Sequence, residues 1–474
     1  MKNKGTILIN SLVFATISMT VIIGLTNWGA NLLKNTKTMT EKEQAFQIAE
    51  AGIEYYRWHL AHAQNDYKDG TNQNGPYIHD YTDAQGNIIG QFSLTITPPI
   101  SGSTLVKIKS TGTLASSTNI SRSIEATLGI PSLAKYAVVA NNFMRFGSGT
   151  EVFGPIHSNA GIRFDGVAHN IITSSVASFD DPDTSSNEKQ FGVYTTVNPA
   201  DPTPPSSVPD RPLVFMAGRQ FPVQTYDFNG LTIDLSSLKT SAQNGGRYIA
   251  SSGALGYRIL LKTNNTFDLY KVTSLQNAPN GCSNSLNQDN WGTWSIKNQT
   301  FIANYSFPTN GIIFIEDHVW VEGQINGARL TIAVGKFPDN VTTRKSITVN
   351  NDLLYTKYDG TDVISLIAQG DFNIGMYSDD NLRIDGAIIA QNGRAGRYYY
   401  GTSCQANGND YHIRNTVTLY GMIATNERYG FAYTDNTGYI NRNIIYDSNL
   451  LYGPPPSFPL TASQYSIVSW QEVQ

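Results

Sequence analysis

Residues 6–33 contain no charged side chain, and apolar residues dominate "TILINSLVFATISMTVIIGL" at its start. A bilayer-spanning helix needs roughly 20 mostly apolar residues, and residues 6–25 supply that length. The helical pattern continues beyond it. Residues 31–62 lack proline and hold Gly52 as their only glycine. "TEKEQAFQIAEAGIEYYRWHL" is rich in helix formers, and Ala45, Ile48, Ile53 and Tyr56 recur at roughly helical spacing. One helix is predicted from Thr6 to near His62, about 85 Å long at about 1.5 Å per residue. A simple anchor does not require that length; a helix that packs along other helices does.

From residue 65 to 130 the period changes to two. "QFSLTITPPI", "LVKIKSTGTL" and "SRSIEATLGI" alternate apolar and polar residues, which predicts strands of a small antiparallel sheet. After Pro131 another rhythm begins. Val319-x-Val321-x-Gly323-x-Ile325, Leu382-x-Ile384-x-Gly386-x-Ile388 and Val417-x-Leu419-x-Gly421-x-Ile423 share one template. Val152-x-Gly154-x-Ile156 and Ile162-x-Phe164-x-Gly166 are partial copies, and Ile347-x-Val349-x-Asn351-x-Leu353 carries Asn in the glycine position. Alternation places the apolar side chains on one strand face, and the glycine marks a bend. Stacked copies predict a right-handed parallel β-helix-like solenoid; the alternative is an antiparallel sandwich with glycine bulges. Loops such as "DDPDTSSNEKQ", "NPADPTPPSSVPDRP", "NAPNGCSNSLNQDNWGTW" and "NGRAGRYYYGTSCQANGNDYH" are expected to protrude between rungs.

Composition narrows the class. The 474 residues exceed one ordinary domain. The net charge of −4 and a pI near 6.0 argue against a nucleic-acid surface. Charged residues make up 15%, tyrosines number 26, and Gly, Ser, Thr and Asn abound after residue 65, which suits an exported β protein. Cys282 and Cys404 both lie in the part expected outside the cell, where either one disulfide or two free thiols are consistent with the sequence.

The N-terminal run is not a cleaved secretory signal by pattern. Such a signal has an apolar core of roughly 7–15 residues and a small-x-small site, whereas Ala30 has Trp28 two positions before it. Lys2 and Lys4 stay cytoplasmic by the positive-inside rule, which leaves the remainder outside.

Chemistry is sparse. The seven histidines form no HExxH, and there is no CxxC, phosphate loop or GxSxG elbow. His59 and His62 lie three apart on the helix without a third ligand in view. "FDDPD" at 179–183 and "YSDDNLRIDG" at 377–386 offer oxygens for calcium but lack EF-hand spacing. Asp379, Asp380, Arg383 and Asp385 could imitate a glycan-cleaving site on an outer rung face, with Arg383 and Asp385 pointing outward. A hydrolase, however, needs two carboxylates at a defined separation. Tyrosines in "RYYYG" at 397–401 and in "ERYGFAYTDNTGYINRN" suggest an aromatic binding surface. No catalytic residue, metal site or cofactor is assigned.

"MKNKG" followed by an uncharged apolar helix resembles a type IV prepilin leader cut after the glycine. "QAFQIAEAGIEYYRWHL" resembles the close of the N-terminal domain of the PilX family of type IV fimbrial biogenesis proteins, related to the minor pseudopilin K of type II secretion. "GPIHSNAGIRFDG" and "YDSNLLYGPPPSFPLTASQYSIVSWQEV" resemble segments of large family members with a solenoid head. The resemblance implies cleavage between Gly5 and Thr6. It also implies an α+β head on the helix. Asn10 occupies the fifth mature position, where major pilins carry a glutamate, and that departure fits a minor or tip subunit.

The expected organisation is a leader and helix over residues 1–62, a small β domain over 63–131, and a solenoid head over 132–474. The expected function is a minor, tip-located subunit acting in pilus assembly or surface adhesion, non-catalytic, single-pass in the cell membrane and displayed on the cell surface. Expected partners are other pilin subunits, the assembly machinery, the membrane, and a glycan or protein target, with no nucleic acid. The alternatives are an uncleaved membrane-anchored adhesin and an anchored β-helix polysaccharide lyase or hydrolase.

Overall fold

Without proline to interrupt it, the N-terminal sequence forms one helix, α1 (Lys4–His62), about 90 Å long. The computed structural model describes residues 4–100, 102–184, 188–228, 234–406, 408–461 and 463–473. Contacts divide the chain into two units, one of Met1–Pro99, Leu105–Ile130 and Ser463–Gln474, the other of Ile100–Thr104 and Pro131–Ala462. The protein is mainly β, with a long N-terminal helix, a small antiparallel sheet and a large array of parallel strands.

In the first unit, β1 (Tyr77–Thr82), β2 (Ile88–Thr97), β3 (Val106–Leu114) and β4 (Ser117–Gly129) form an antiparallel meander. Alternation puts Phe92, Leu94, Val106, Ile108, Ile124 and Ala126 on one face, where they bury Ile48, Ile53, Tyr56 and Leu60 of α1. The approach is close: a Cβ on Gly112 would lie 2.1 Å from the Ala45 carbonyl oxygen and 2.5 Å from the Ala49 nitrogen. Glycine in β3 and alanines in α1 thus let backbone meet backbone.

The fifth strand of this sheet is Ser466–Val473, antiparallel to β4, with Trp470 opposite Ala126. The expectation that the head runs to residue 474 is therefore corrected. Trp470 packs edge-on against Phe46 of α1 at 5.8 Å, Tyr465 joins the same core, and Glu472 pairs with Arg122. In chain order, the second unit is inserted between two neighbouring strands of the first sheet.

The second unit is built from columns of parallel strands. One column runs through Arg247–Ile249, Ile312–Ile315, Arg329–Val334, Val363–Ala368 and the end of Asn381–Ala390. It continues through the end of Ile413–Thr425, then Val138–Ala140, Ile156–Ser158, Ile172–Ser174 and Arg219–Gln220. Stack order therefore departs from chain order: the chain joins the stack in its middle at Val138, runs to one end, crosses to the other and winds back to Val138's neighbour, Ile423. Chain start and chain end of the unit meet as well, since the Thr461 amide donates to the Pro131 carbonyl at 2.9 Å.

From Ile312 to Thr425 this column is largely apolar on both faces, as parallel strands buried twice must be. Ile313, Ile332, Leu366, Ile388 and Ile423 point into the main core. Phe314, Ala333, Ile367, Ile389 and Met422 point to a second core. The second is covered by α2 (Leu235–Gln243), capped by Asp234, and by Leu450 and Phe458. The repeated glycines sit where one long strand passes between columns. Gly386 pairs with Gly421 in register; Gly421 has φ +143°, and a Cβ there would lie 2.0 Å from the Gly386 oxygen.

Candidate functional site

The first candidate surface is the amino-terminal half of α1. Its large side chains are exposed, Phe14 at 72% and Leu8 at 73%, while from Ala45 onward one face is buried on the sheet. The stretch is long and apolar enough to cross a membrane. Four of its hydroxyls, those of Ser11, Thr16, Thr20 and Thr26, are bonded within the helix. Ser11 donates to the Ile7 carbonyl at 2.6 Å, Thr16 to Leu12 at 3.1 Å and Thr26 to Ile22 at 2.9 Å. A side chain bonded four residues back exposes no lone donor, the condition hydrocarbon imposes on polar groups.

The leader residues fall at the edge of the description. Lys2 lies outside the described residues; Lys4 and Gly5 are described as helical backbone only. Thr6 and Asn10 are exposed on the first turns of α1. Farther along, His59 bonds Asp66 at 3.1 Å while His62 turns back to the Trp58 carbonyl at 2.8 Å, so the two rings serve different partners.

In the head, Cys282 and Cys404 are joined by a disulfide across a separation of 122 residues. The bond ties together two loops whose other residues form a small core, with Met376, Tyr398 and Tyr400 packed against Trp291 and Trp294. Arg397 beneath them is fully buried. It donates to the carbonyls of Met376 at 3.0 Å and Tyr411 at 2.6 Å, and to Ser378 Oγ at 2.8 Å. Tyr400 stacks over its guanidinium at 4.7 Å. Two tyrosines of "RYYYG", Tyr398 and Tyr400, are accordingly structural, while Tyr399 is half-buried and donates to Asp435 at 2.6 Å. Tyr398 and Tyr400 are 1% exposed, so the expected aromatic binding surface is not formed by them; Tyr429 and Tyr439 are buried too.

The acidic clusters are split: Asp181 and Asp385 are buried, whereas Asp180, Asp379 and Asp380 are exposed. Asp385 was expected to point outward, yet it is completely buried. It accepts from the Tyr355 amide at 2.9 Å, Tyr358 Oη at 2.8 Å and Arg383 Nε at 2.8 Å. Burial raises its pKa against those bonds. Asp380 accepts from the Asn415 amide at 3.0 Å. Partial desolvation, followed by the charges of Asp352 and Glu322, raises the Asp379 carboxyl. In "FDDPD", Asp181 accepts from Tyr194, and Asp183 pairs with Arg145 and Arg428. Among the described residues no three His, Cys, Asp or Glu side chains converge as a metal site.

The second candidate surface is a cleft of about 910 Å³ in the head, and one of its walls is the tyrosine-bearing segment 427–443 singled out in the sequence. It is walled by residues 145–150, the loop around Gln288, and residues 428–442. Four arginines line it, Arg145, Arg394, Arg428 and Arg442, against Asp165 and Asp183; of these Arg442 is buried. Asp183 is held below the usual carboxylate range; burial works against this, and Arg428 and Arg145 outweigh it. The aromatic segment marks only that wall; the arginines and the other walls come from segments far apart in the chain and carry no motif.

No family model and no curated protein matches this chain. Among solved structures, it is similar to the crystal structure of the competence-associated pilin ComZ from Thermus thermophilus. The TM-score is 0.32 at 12% sequence identity, and the match covers 91% of this chain and 98% of that one.

Proposed function

We propose that this chain is a membrane-inserted, pilin-like minor subunit of the cell surface, non-catalytic, with Lys2 and Lys4 on the cytoplasmic side and the leader removed between Gly5 and Thr6. One observation carries the reading. A single helix has an amino-terminal half that is apolar and exposed, with most of its hydroxyls bonded back to its own carbonyls, and a second half that packs on an antiparallel sheet. The same apolar face that suits lipid suits side-by-side helix packing once subunits leave the membrane. Asn10 offers no charge to neutralise a neighbour's terminal amine, and that argues for a subunit used rarely. The inserted unit of Pro131–Ala462 is bulky for a repeated lattice, which favours a place at the tip and a role in assembly or in contact with a target. Its partners on this reading are other pilin subunits, the assembly machinery and the membrane.

The test is the mass of the N-terminal peptide, taken separately from sheared surface filaments and from membranes. A filament peptide beginning at Thr6 is expected. A chain that keeps Met1 and occurs only in membranes would make it an anchored adhesin and overturn the filament role.

A further inference from the structure

Charge in the head is unevenly placed. The whole chain carries −4, yet the cleft at residues 145–150 and 428–442 sets four arginines against two aspartates. Not all of that positive charge is used internally. Arg428 forks onto Asp183, with Nη1 on Oδ1 at 2.8 Å and Nη2 on Oδ2, and Arg145 donates to the same Oδ2 at 3.1 Å, so two guanidiniums face one carboxylate and one positive charge is left over. The Arg428 side chain remains 45% exposed. Among the described residues Arg442 meets no carboxylate; it is buried and donates to Thr150 Oγ1 at 2.9 Å and to the carbonyls of Ile440 at 2.8 Å, Gly147 at 3.3 Å, Tyr439 and Ser148. Arg394 lies over the Tyr398 ring at 4.0 Å, and its Nη2 is buried with no hydrogen-bond partner among the described residues.

The remaining lining is neither a plain anion hole nor a nucleic-acid track. Leu286 and Ile440 are exposed at the rim, and the half-buried Tyr433 ring lies edge-on to Tyr399 at 5.0 Å. Thr434, Asn436 and Asn441 present exposed hydroxyl and amide groups. Apolar patches interleaved with neutral hydrogen-bonding groups suit the faces and hydroxyls of sugar rings. Two carboxylates in the same walls oppose a polyphosphate backbone, which selects for continuous basic surface.

We propose that this cleft binds a saccharide bearing a carboxylate, with Arg428 and Arg394 receiving the anion and the Tyr433 side seating the sugar ring. The inference does not depend on leader cleavage or filament entry, so either can fail without the other. A guanidinium pairs with a carboxylate through two parallel N–H bonds, and loss of the charge on either partner weakens that recognition.

The experiment is titration calorimetry on the full chain in detergent micelles. The probes are a galacturonate trimer, sialyllactose and a glucuronate-containing chondroitin disaccharide, each beside its neutral methyl ester. Inorganic phosphate and a short DNA duplex complete the set. At least one acidic probe is expected to bind, its ester at least tenfold more weakly, and Arg428→Gln and Arg394→Gln each to weaken the acid tenfold or more. Arg428→Gln leaves Asp183 paired with Arg145, so an unchanged thermal transition in this variant separates lost binding from lost folding. Failure of all three acids to bind, equal binding of acid and ester, displacement by equimolar phosphate, or tighter binding of the duplex would each overturn the proposal.

Discussion

Val138 pairs in parallel with Ile423, and that contact closes the parallel array in its middle. Both side chains are buried in the main core, and the neighbouring pairing of Ile444 with Val152 seals the same junction in the adjacent column. Ile423→Ala is expected to destabilise the head by roughly 2–5 kcal/mol, the range for such core truncations. Chemical denaturation of the full chain followed by tryptophan fluorescence measures it. Native-state proteolysis is expected to cut first in residues 131–220 of the variant, because that half would lose its hold on the other.

Gly421 and Gly430 form a second test, of the bend. At Gly421 the backbone is left-handed and a Cβ would meet Gly386. At Gly430 nothing lies within 4 Å. Gly421→Ala is expected to cost about 2 kcal/mol or more through strain and displacement of the neighbouring rung. Gly430→Ala is expected to stay within about 0.5 kcal/mol. Equal melting temperatures for the two variants would remove the bend from the account of the repeat.

The two halves of α1 are expected to respond differently to charge. Ile17→Arg places a guanidinium in the exposed apolar run, at a cost of roughly 2.5–3.5 kcal/mol to membrane insertion, with the β units still folded. Ile53→Arg buries the same group against the sheet, and loss of the first unit's cooperative transition is expected instead. Carbonate extraction reads the first effect and circular dichroism the second.

His318 makes the head acid-sensitive. Burial, then the nearby Lys345 charge, depress its pKa to about 4 from 6.5, with Asp317 acting the other way. Its Nδ1 accepts from the Ser346 amide at 3.1 Å, which the neutral ring can do. The stability is fully present above pH 6.5. It is lost as pH falls toward 4, where the unfolded chain binds a proton and the folded one does not, by about 3 kcal/mol across that window. Denaturation midpoints between pH 7 and 4 should fall less steeply in His318→Asn.

The disulfide is expected to hold loops more than rungs. Cys282→Ser with Cys404→Ser should cost about 2–4 kcal/mol and speed protease cleavage in the loop around Trp291, while the parallel core keeps its far-ultraviolet signal. Unchanged cleavage would mean that Arg397 and its carbonyl partners hold the loops unaided.

Local physics was legible along the chain. Helix formers without proline determine α1, alternation determines β2 and β3, and the glycine at a fixed offset determines the bend at Gly421. These depend on neighbours a few residues away, and such neighbours are written next to one another. What tertiary structure decided is which distant segments meet. The return of Ser466–Val473 to β4 rests on Trp470 finding Phe46. The burial of Tyr398, Tyr400 and Asp385 rests on partners one rung or one loop away. The stack order, with Val138 beside Ile423, leaves no local mark, because every rung carries the same apolar face and any rung would bury it. The arginine-lined cleft belongs to the same class: its charges are scattered along the chain, and only folding gathers them.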